Sequence, residues 1–158
     1  MYLFYCWGCK KEHNTRIEIY LLKSFVTTID TTQRPAVNGI ANAVLDDTPL
    51  VADPDIRFYT RKKSTFALRK DIQKDIKNFG PDKAFAVTVD KQIVYYGRFH
   101  PIYMNSVVYG LATITPLPYK NDELRIDFIN LTVTFVSPFD KRNDSRIINA
   151  LRSTGRLQ

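Results

Sequence analysis

Hydrophobic and polar residues alternate most regularly in the middle of the chain, residues 84–115. Phe85, Val87 and Val89 fall on one side of this alternation, which predicts a strand with one face in the core. Asp90 follows at once, and its carboxylate is expected to bond to backbone amides two residues further on, as aspartate does in turns. The pattern therefore predicts the first half of a β-hairpin.

A second strand over residues 93–96 completes this hairpin, and Gly97 is predicted to end it. The chain then enters a loop, residues 97–110, which is rich in aromatic residues and contains His100. Residues 111–114 are again apolar and predict a third strand of the same sheet.

The alternation is weaker before this segment. Residues 16–22 predict a half-buried strand, whereas residues 23–38 show no period and predict a loop, or a strand followed by a loop. A short helix is predicted from Ala41. Asp53 is predicted to cap a further helical turn that begins with Pro54.

Two segments change to the helical period of 3.6 residues. Residues 70–79 carry one apolar stripe and end at Gly80. The second helix follows a cap at Asp144 or Ser145 and ends at Gly155. The stripes consist of Ile72, Ile76 and Phe79 in the first helix, and of Ile147, Ile148 and Leu151 in the second.

A long alternating run over residues 124–136 shifts its phase at Phe128. Such a shift predicts a bulge, or a strand that passes between two environments. Together these elements predict one α+β domain over residues 15–158, with a mainly antiparallel sheet of five to seven strands and two principal helices packed on one face. A chain of 158 residues can bury such a core without disulfides.

Residues 1–14 change abruptly from apolar to polar and contain both cysteines of the chain, Cys6 and Cys9. Gly8 before Cys9 resembles the cleavage site of a bacterial lipoprotein, which favours the remnant of an export signal, lipid attachment at Cys9 and a polar tether. A redox pair also has this spacing, but it normally follows a strand and begins a helix. A zinc half-site with His13 is the third interpretation.

The net charge of +7 is spread along the chain, with short basic clusters at residues 10–11, 61–63 and 141–142. An excess of positive charge favours an anionic partner, either nucleic acid or a phospholipid surface. A soluble protein with a basic surface is the simpler interpretation, because no run exceeds three basic residues and no nucleic-acid motif accompanies them.

The loop around His100 is the best candidate for a functional site, because histidine is scarce in this chain and aromatic residues surround this one. The predicted partner-binding residues are Tyr95, Tyr96, Arg98, Phe99, His100, Tyr103 and Tyr109. Exposed aromatic side chains of this kind bind peptides or glycans, or stack on bases. No Gly-x-Ser-x-Gly, His-Glu-x-x-His or glycine-rich phosphate loop occurs, so we expect no catalytic residue, metal or cofactor.

Residues 55–115 resemble a compact unit in the first periplasmic domain of SecD, a part of the SecDF translocation accessory. Asp55-Ile56, the strands over residues 66–68, 85–90 and 93–95, and the helix around Ile72 carry this resemblance. The same pattern resembles a group of small bacterial envelope lipoproteins that end in a helix similar to residues 143–151. The resemblance implies a fold and a location in the cell envelope. It assigns no functional residue, because the transmembrane segments needed for translocation do not occur.

We therefore expect a non-catalytic, lipid-anchored envelope module that binds a polypeptide or cell-wall partner through residues 97–110, with no small-molecule substrate. One alternative is a cytoplasmic protein that binds nucleic acid or acts as a regulator, and in that case the basic residues would gather on one face. The other alternative is a hydrolase that uses His100, which would need an acidic side chain within hydrogen-bond reach of the imidazole.

Overall fold

The computed structural model describes residues 15–116, 120–130 and 137–158. The predictions made for Cys6, Cys9 and His13 lie outside these residues, as does the later part of the alternating run, residues 131–136.

The strands are β1 (Ile17–Asp30), β2 (Val37–Leu45), β3 (Ile56–Thr60), β4 (Thr65–Leu68), β5 (Ala84–Val89), β6 (Gln92–Phe99), β7 (Ala112–Ile114) and β8 (Glu123–Arg125), and the helices are α1 (Gln73–Ile76) and α2 (Ser145–Ser153). The fold is α+β, and strands dominate it.

The predicted single sheet is in fact two sheets. Five strands form the larger one in the order β2-β1-β5-β6-β7, and all its pairs are antiparallel except β6 with β7. Strand β1 is long enough to serve two partners: residues 17–21 pair with β5, and residues from Leu22 to Asp30 pair with β2. The long strand therefore positions the β1–β2 hairpin against the rest of the sheet.

The smaller sheet has the order β3-β4-β8. Strand β8 pairs with β4, but two residues later Asp127 pairs instead with Thr113 of β7, and both backbone N–H···O distances are 2.8 Å. The described part of the alternating run thus passes from one sheet to the other, as the phase shift predicted. On the opposite edge, Leu157 lies parallel to Tyr59 of β3.

The core lies between the two sheets. Phe85, Val87 and Val89 belong to the main hydrophobic cluster, as their alternation predicted, whereas Ala84 and Ala86 on the other face of β5 form a smaller cluster with Leu22. The apolar stripes of both helices contribute to the main cluster through Ile72, Ile76, Ile147, Ile148 and Leu151. One core therefore connects both helices with both sheets.

The tip of the β1–β2 hairpin closes against the segment that precedes β7. The backbone N–H of Asn38 donates to the carbonyl of Tyr109 at 2.8 Å, and the side-chain amide of Asn38 reaches the same oxygen at 3.2 Å. Gly110, with a φ of 76°, lies directly against Val37, so a side chain there would collide with the hairpin. The larger sheet consequently curls until its two edges meet at this point.

The predicted helix from Ala41 is wrong, because this residue lies in β2 and pairs with Val26 of β1. Helix propensity is weak information when a partner strand offers a complete set of backbone hydrogen bonds. Asn42 has a φ of 50°, which accompanies the irregular register between these two strands. The segment after residue 22, predicted as a loop or as a strand and a loop, continues as a strand to Asp30.

The first predicted helix is correct in its buried stripe but wrong in its length. Only Gln73–Ile76 is helical, and the backbone before it bonds to other segments: the N–H of Arg69 donates to the carbonyl of Asp55 and that of Ile72 donates to the carbonyl of Asn121, each at 2.8 Å. A short helix depends on such packing more than on its own propensity. The second helix agrees with the prediction, since Asp144 caps it by accepting from the N–H of Arg146.

Three local predictions around turns are also wrong. Asp53 does not cap the turn at residues 53–55, since its carboxylate accepts from the N–H of Ile17 at 2.8 Å. The carboxylate of Asp90 likewise bonds to the N–H of Arg16 at 2.8 Å, and not two residues further on. Gly97 does not end β6, which continues to Phe99.

Candidate functional site

The predicted partner-binding residues do not form one exposed surface. Tyr95 is 8% exposed and Phe99 is 0% exposed, so both side chains are part of the core and cannot offer the surface that the prediction requires. Tyr96 packs against the smaller hydrophobic cluster. Tyr103, by contrast, is 72% exposed at the outer part of the loop.

Two further predicted residues, Arg98 and His100, are held by backbone groups. The N–H of His100 donates to the carbonyl of Ile114 at 2.8 Å, which fixes the loop to β7. The guanidinium of Arg98 donates to the carbonyl of Pro81 at 2.7 Å. These contacts give both residues a structural role, and a role in catalysis or binding stays a prediction.

An apolar pocket of about 130 Å³ opens where the β1–β2 hairpin meets the segments around Tyr109 and Phe139. Val37, Tyr109, Ile129 and Phe139 line it, together with Pro35. Two of these side chains are well exposed for apolar residues, Ile129 at 40% and Phe139 at 44%. Tyr109 is thus the one member of the predicted set that lines this pocket.

A shallower groove of about 360 Å³ continues from the pocket along the hairpin. The two cavities share Val37, Gly110, Pro138 and Phe139, so together they form one surface. Tyr96 lines the groove, and the cationic side chains of Arg34 and Lys141 lie on the walls of the pocket and the groove, respectively.

Backbone contacts hold this surface in place. Tyr109 forms a parallel bridge with Ile129, and its carbonyl accepts from Asn38 at the hairpin tip. The second of these contacts joins segments far apart in sequence, since Asn38 and Tyr109 are separated by 71 positions. The pocket therefore depends on the closure of the larger sheet.

A polar cluster lies on the other side of Tyr95. Arg142 and Asp140 form a bidentate ion pair with distances of 2.8 and 2.9 Å, and Arg142 also donates to the carbonyl of Ile126 at 3.1 Å. The hydroxyl of Tyr59 donates to the carbonyl of Arg142 at 3.0 Å. This cluster fixes the chain just before α2.

Burial controls the protonation of this cluster. It raises the pKa of Tyr59, and it raises the pKa of the buried Tyr95 well above the ordinary tyrosine value. Burial lowers the pKa of Arg142, but the hydrogen bonds and the negative charge of Asp140 outweigh this effect and raise the pKa overall. The cluster thus holds neutral phenols beside a paired charge.

No protein-family model, curated protein or solved structure matches the chain. The resemblance to the SecD unit and to envelope lipoproteins therefore stays a prediction. Within the described residues, no helix is long and apolar enough to cross a membrane. No group of three or more histidine, cysteine and acidic side chains that could hold a metal ion occurs in that same part of the chain.

Val37, Ile129 and Phe139 are pocket residues that the sequence did not point to. Each lies in a different segment, and although Ile129 belongs to the alternating run over residues 124–136, that pattern predicts a strand and not a pocket. The only local signal was the Pro138-Phe139 pair, an aromatic residue placed next to a proline in a polar stretch.

Proposed function

We propose that this protein is a non-catalytic module of the cell envelope that binds a polypeptide through the apolar pocket at the hairpin tip. The observation that carries the proposal is the pocket itself, in which Tyr109, Ile129 and Phe139 meet beside Val37. In this proposal the two helices lie together on the face of the larger sheet that carries Phe85 and support the sheet from behind.

The size of the pocket favours a single apolar side chain. A dry cavity of about 150 Å³ holds one benzene molecule, so the pocket of about 130 Å³ matches one aromatic ring or one branched aliphatic group. The continuing groove accommodates the neighbouring residues of an extended segment.

The charge of the rim favours acidic neighbours in that segment. Arg34 borders the pocket, and Lys141 and the acidic Asp30 border the groove, so the charged side chains of the described rim carry a net positive charge. A polypeptide with an apolar residue next to aspartate or glutamate would complement both the apolar floor and the cationic rim.

Selection from a phage-displayed library of random peptides on the immobilised full chain tests this proposal. We expect enriched peptides to share an apolar residue next to an acidic one. Phe139→Glu should weaken their binding at least about tenfold, because burying an apolar side chain contributes about 1.5–3 kcal/mol. Val44→Glu is the matched control, since Val44 is 51% exposed and does not line the pocket or the groove.

Two results would contradict the proposal. One is the absence of enrichment over an unrelated domain of similar net charge. The other is equal binding by Phe139→Glu and Val44→Glu, which would place the peptide elsewhere on the protein.

We also propose that a lipid on Cys9 anchors the module. Gly8-Cys9 and the polar residues that follow support this part of the proposal, and Cys9 precedes the first described residue, Thr15, by six positions. Fractionation of cells that express the full chain tests it: we expect membrane association for the natural sequence and release for Cys9→Ser. Equal distribution of both would contradict the anchor without affecting the peptide experiment.

A further inference from the structure

A basic groove of about 1010 Å³ lies on a part of the molecule that the pocket at the hairpin tip does not reach. Six basic side chains and two acidic ones line its described part. The basic residues are Arg61, Lys62, Lys63, Lys120, Arg125 and Arg142. The turn at residues 61–63, strand β8 with the segment just before it, and the segment before α2 supply them, so residues distant in sequence converge on this groove.

Three of these cations already have carboxylate partners. Lys120 pairs with Glu123 at 2.9 Å and Arg125 pairs with Asp127 at 2.8 Å. Arg142 is held by Asp140, as described above. Within the described residues, no ion pair involves the three consecutive cations Arg61, Lys62 and Lys63. The positive charge available to a ligand is therefore concentrated on the turn.

The turn is held rigidly. Ser64 ends the turn and is 4% exposed. Its φ of 46° is a left-handed backbone conformation that residues other than glycine rarely adopt. Its carbonyl accepts from the N–H of Ile126 at 3.0 Å, and the hydroxyl of Thr65 donates to the carbonyl of Lys63 at 2.9 Å. Strained backbone of this kind often occurs where a functional group must be fixed in position.

Successive residues of a 3₁₀ turn lie about 120° apart around its axis, since there are three residues per turn. Arg61, Lys62 and Lys63 therefore leave the backbone in different directions, although all three line the groove. A ligand that carries its negative charge on several groups suits such a spread arrangement.

We infer that this groove binds a ligand with two or more phosphate groups. A phosphate monoester carries about 1.5–2 negative charges at neutral pH and three acceptor oxygens, which exceeds what a carboxylate offers. Arginine binds such oxygens in a bidentate manner and lysine binds them as a point charge. The hydroxyl of Thr115 and the side-chain amides of Gln73 and Asn143 along the same walls can donate further hydrogen bonds.

The described walls contain no aromatic side chain. Stacking on bases, which dominates the binding of single-stranded nucleic acids, therefore has no platform in this part of the groove. The recognised chemistry is the phosphate groups themselves, which a soluble oligophosphate or a lipid headgroup can provide.

Calorimetric titration of the full chain with inorganic tripolyphosphate tests the inference, with citrate as the carboxylate control. We expect tripolyphosphate to bind more tightly than citrate, with an affinity that falls as salt is added. Charge reversal in the double variant Lys62→Glu and Lys63→Glu should weaken binding at least about tenfold. The double variant Lys74→Glu and Lys77→Glu is the matched control, because both lysines are exposed and neither lines the groove.

Sedimentation with phosphatidylcholine vesicles, with and without cardiolipin, separates the two sources of phosphate. Cardiolipin joins two phosphates, so binding that depends on it and is lost in the Lys62 and Lys63 variant would identify a lipid headgroup. Binding of tripolyphosphate alone would identify a soluble ligand. Failure to bind either ligand, equal binding of citrate, or binding unaffected by reversal at Lys62 and Lys63 would overturn the inference.

Discussion

Gly97 allows three strands to approach one another in the larger sheet. A Cβ atom at this position would lie 2.2 Å from the ring of Phe85 and 2.7 Å from the carbonyl oxygen of Ala112. Neither neighbour can move away, because Phe85 is fully buried and Ala112 pairs through its backbone with β6. Glycine is required here for close packing within a strand, which is a different role from ending one.

Gly97→Ala should therefore destabilise the protein by about 2–3 kcal/mol, because overfilling a packed core forces side chains and backbone apart. Urea unfolding followed by circular dichroism measures this change. Gly80→Ala is the control, since the nearest atom to its Cβ is the exposed carboxylate of Asp82, which can rotate away. Equal destabilisation by both variants would show that the contact with Phe85 is not the cause.

An ion pair between Asp53 and Arg156 joins the start of β1 to the segment that follows α2. Arg156 donates to the carboxylate of Asp53 at 2.8 Å and to the carbonyl of the same residue at 3.0 Å. The same carboxylate accepts from the N–H of Ile17. Both charged side chains are at most 20% exposed, so solvent screens the pair only weakly.

Arg156→Gln should lower the free energy of unfolding by about 2–3 kcal/mol, since it leaves the carboxylate of Asp53 without its counter-charge. The variant should also speed amide hydrogen exchange at Ile17, which mass spectrometry can detect. Arg152→Gln is the control, because this exposed arginine bonds only to Asn149, at 3.3 Å, among the described residues. Unchanged exchange at Ile17 would contradict the role assigned to the pair.

The sequence correctly predicted those elements whose secondary structure is determined by residues next to them in the chain. The hairpin of β5 and β6 and the cap at Asp144 depend on neighbouring residues, and their patterns were sufficient. Strand β2 was mistaken for a helix because its conformation is decided by β1, and the backbone just before α1 is bound to distant segments. A local pattern contains no information on such partners.

The candidate site was harder to predict for the same reason. Of the seven predicted partner-binding residues, Tyr109 lines the apolar pocket, whereas Tyr95 and Phe99 are buried in the core. The pocket forms only where the closed sheet brings Val37, Ile129 and Phe139 together, and these residues share no spacing in the chain. Its composition could be known only from the fold.

Both sheets and both helices contribute to one core, and two tyrosines lie in it beside the Asp140–Arg142 pair. Because burial raises the pKa values of Tyr59 and Tyr95, the folded protein retains these phenol protons more tightly than the unfolded chain does. Their contribution to stability is complete below the ordinary tyrosine pKa of about 10 and decreases as the pH rises above it.

Tyr95→Phe should therefore make stability less sensitive to alkaline pH. We expect the free energy of unfolding of the natural sequence to fall relative to that of this variant by up to about 1.4 kcal/mol per pH unit above about pH 10. Urea unfolding across this range measures the difference. Tyr103→Phe, which removes an exposed hydroxyl, is the control, and parallel pH dependence of the natural sequence and Tyr95→Phe would contradict the prediction.

Strand β1 pairs with two strands, β5 near its start and β2 near its end, and this arrangement has a mechanical consequence. Its 14 residues span about 45 Å. The strand runs from Ile17, whose N–H donates to the ion-paired Asp53, to the hairpin tip beside the apolar pocket. A tether pulling at one end and a captured polypeptide pulling at the other would load this strand along its axis. Antiparallel ladder bonds run perpendicular to that axis, so they would share the load in shear and would not open one by one. If the proposed anchor and the proposed polypeptide partner act on its two ends, the long strand would carry the tension between them without opening bond by bond.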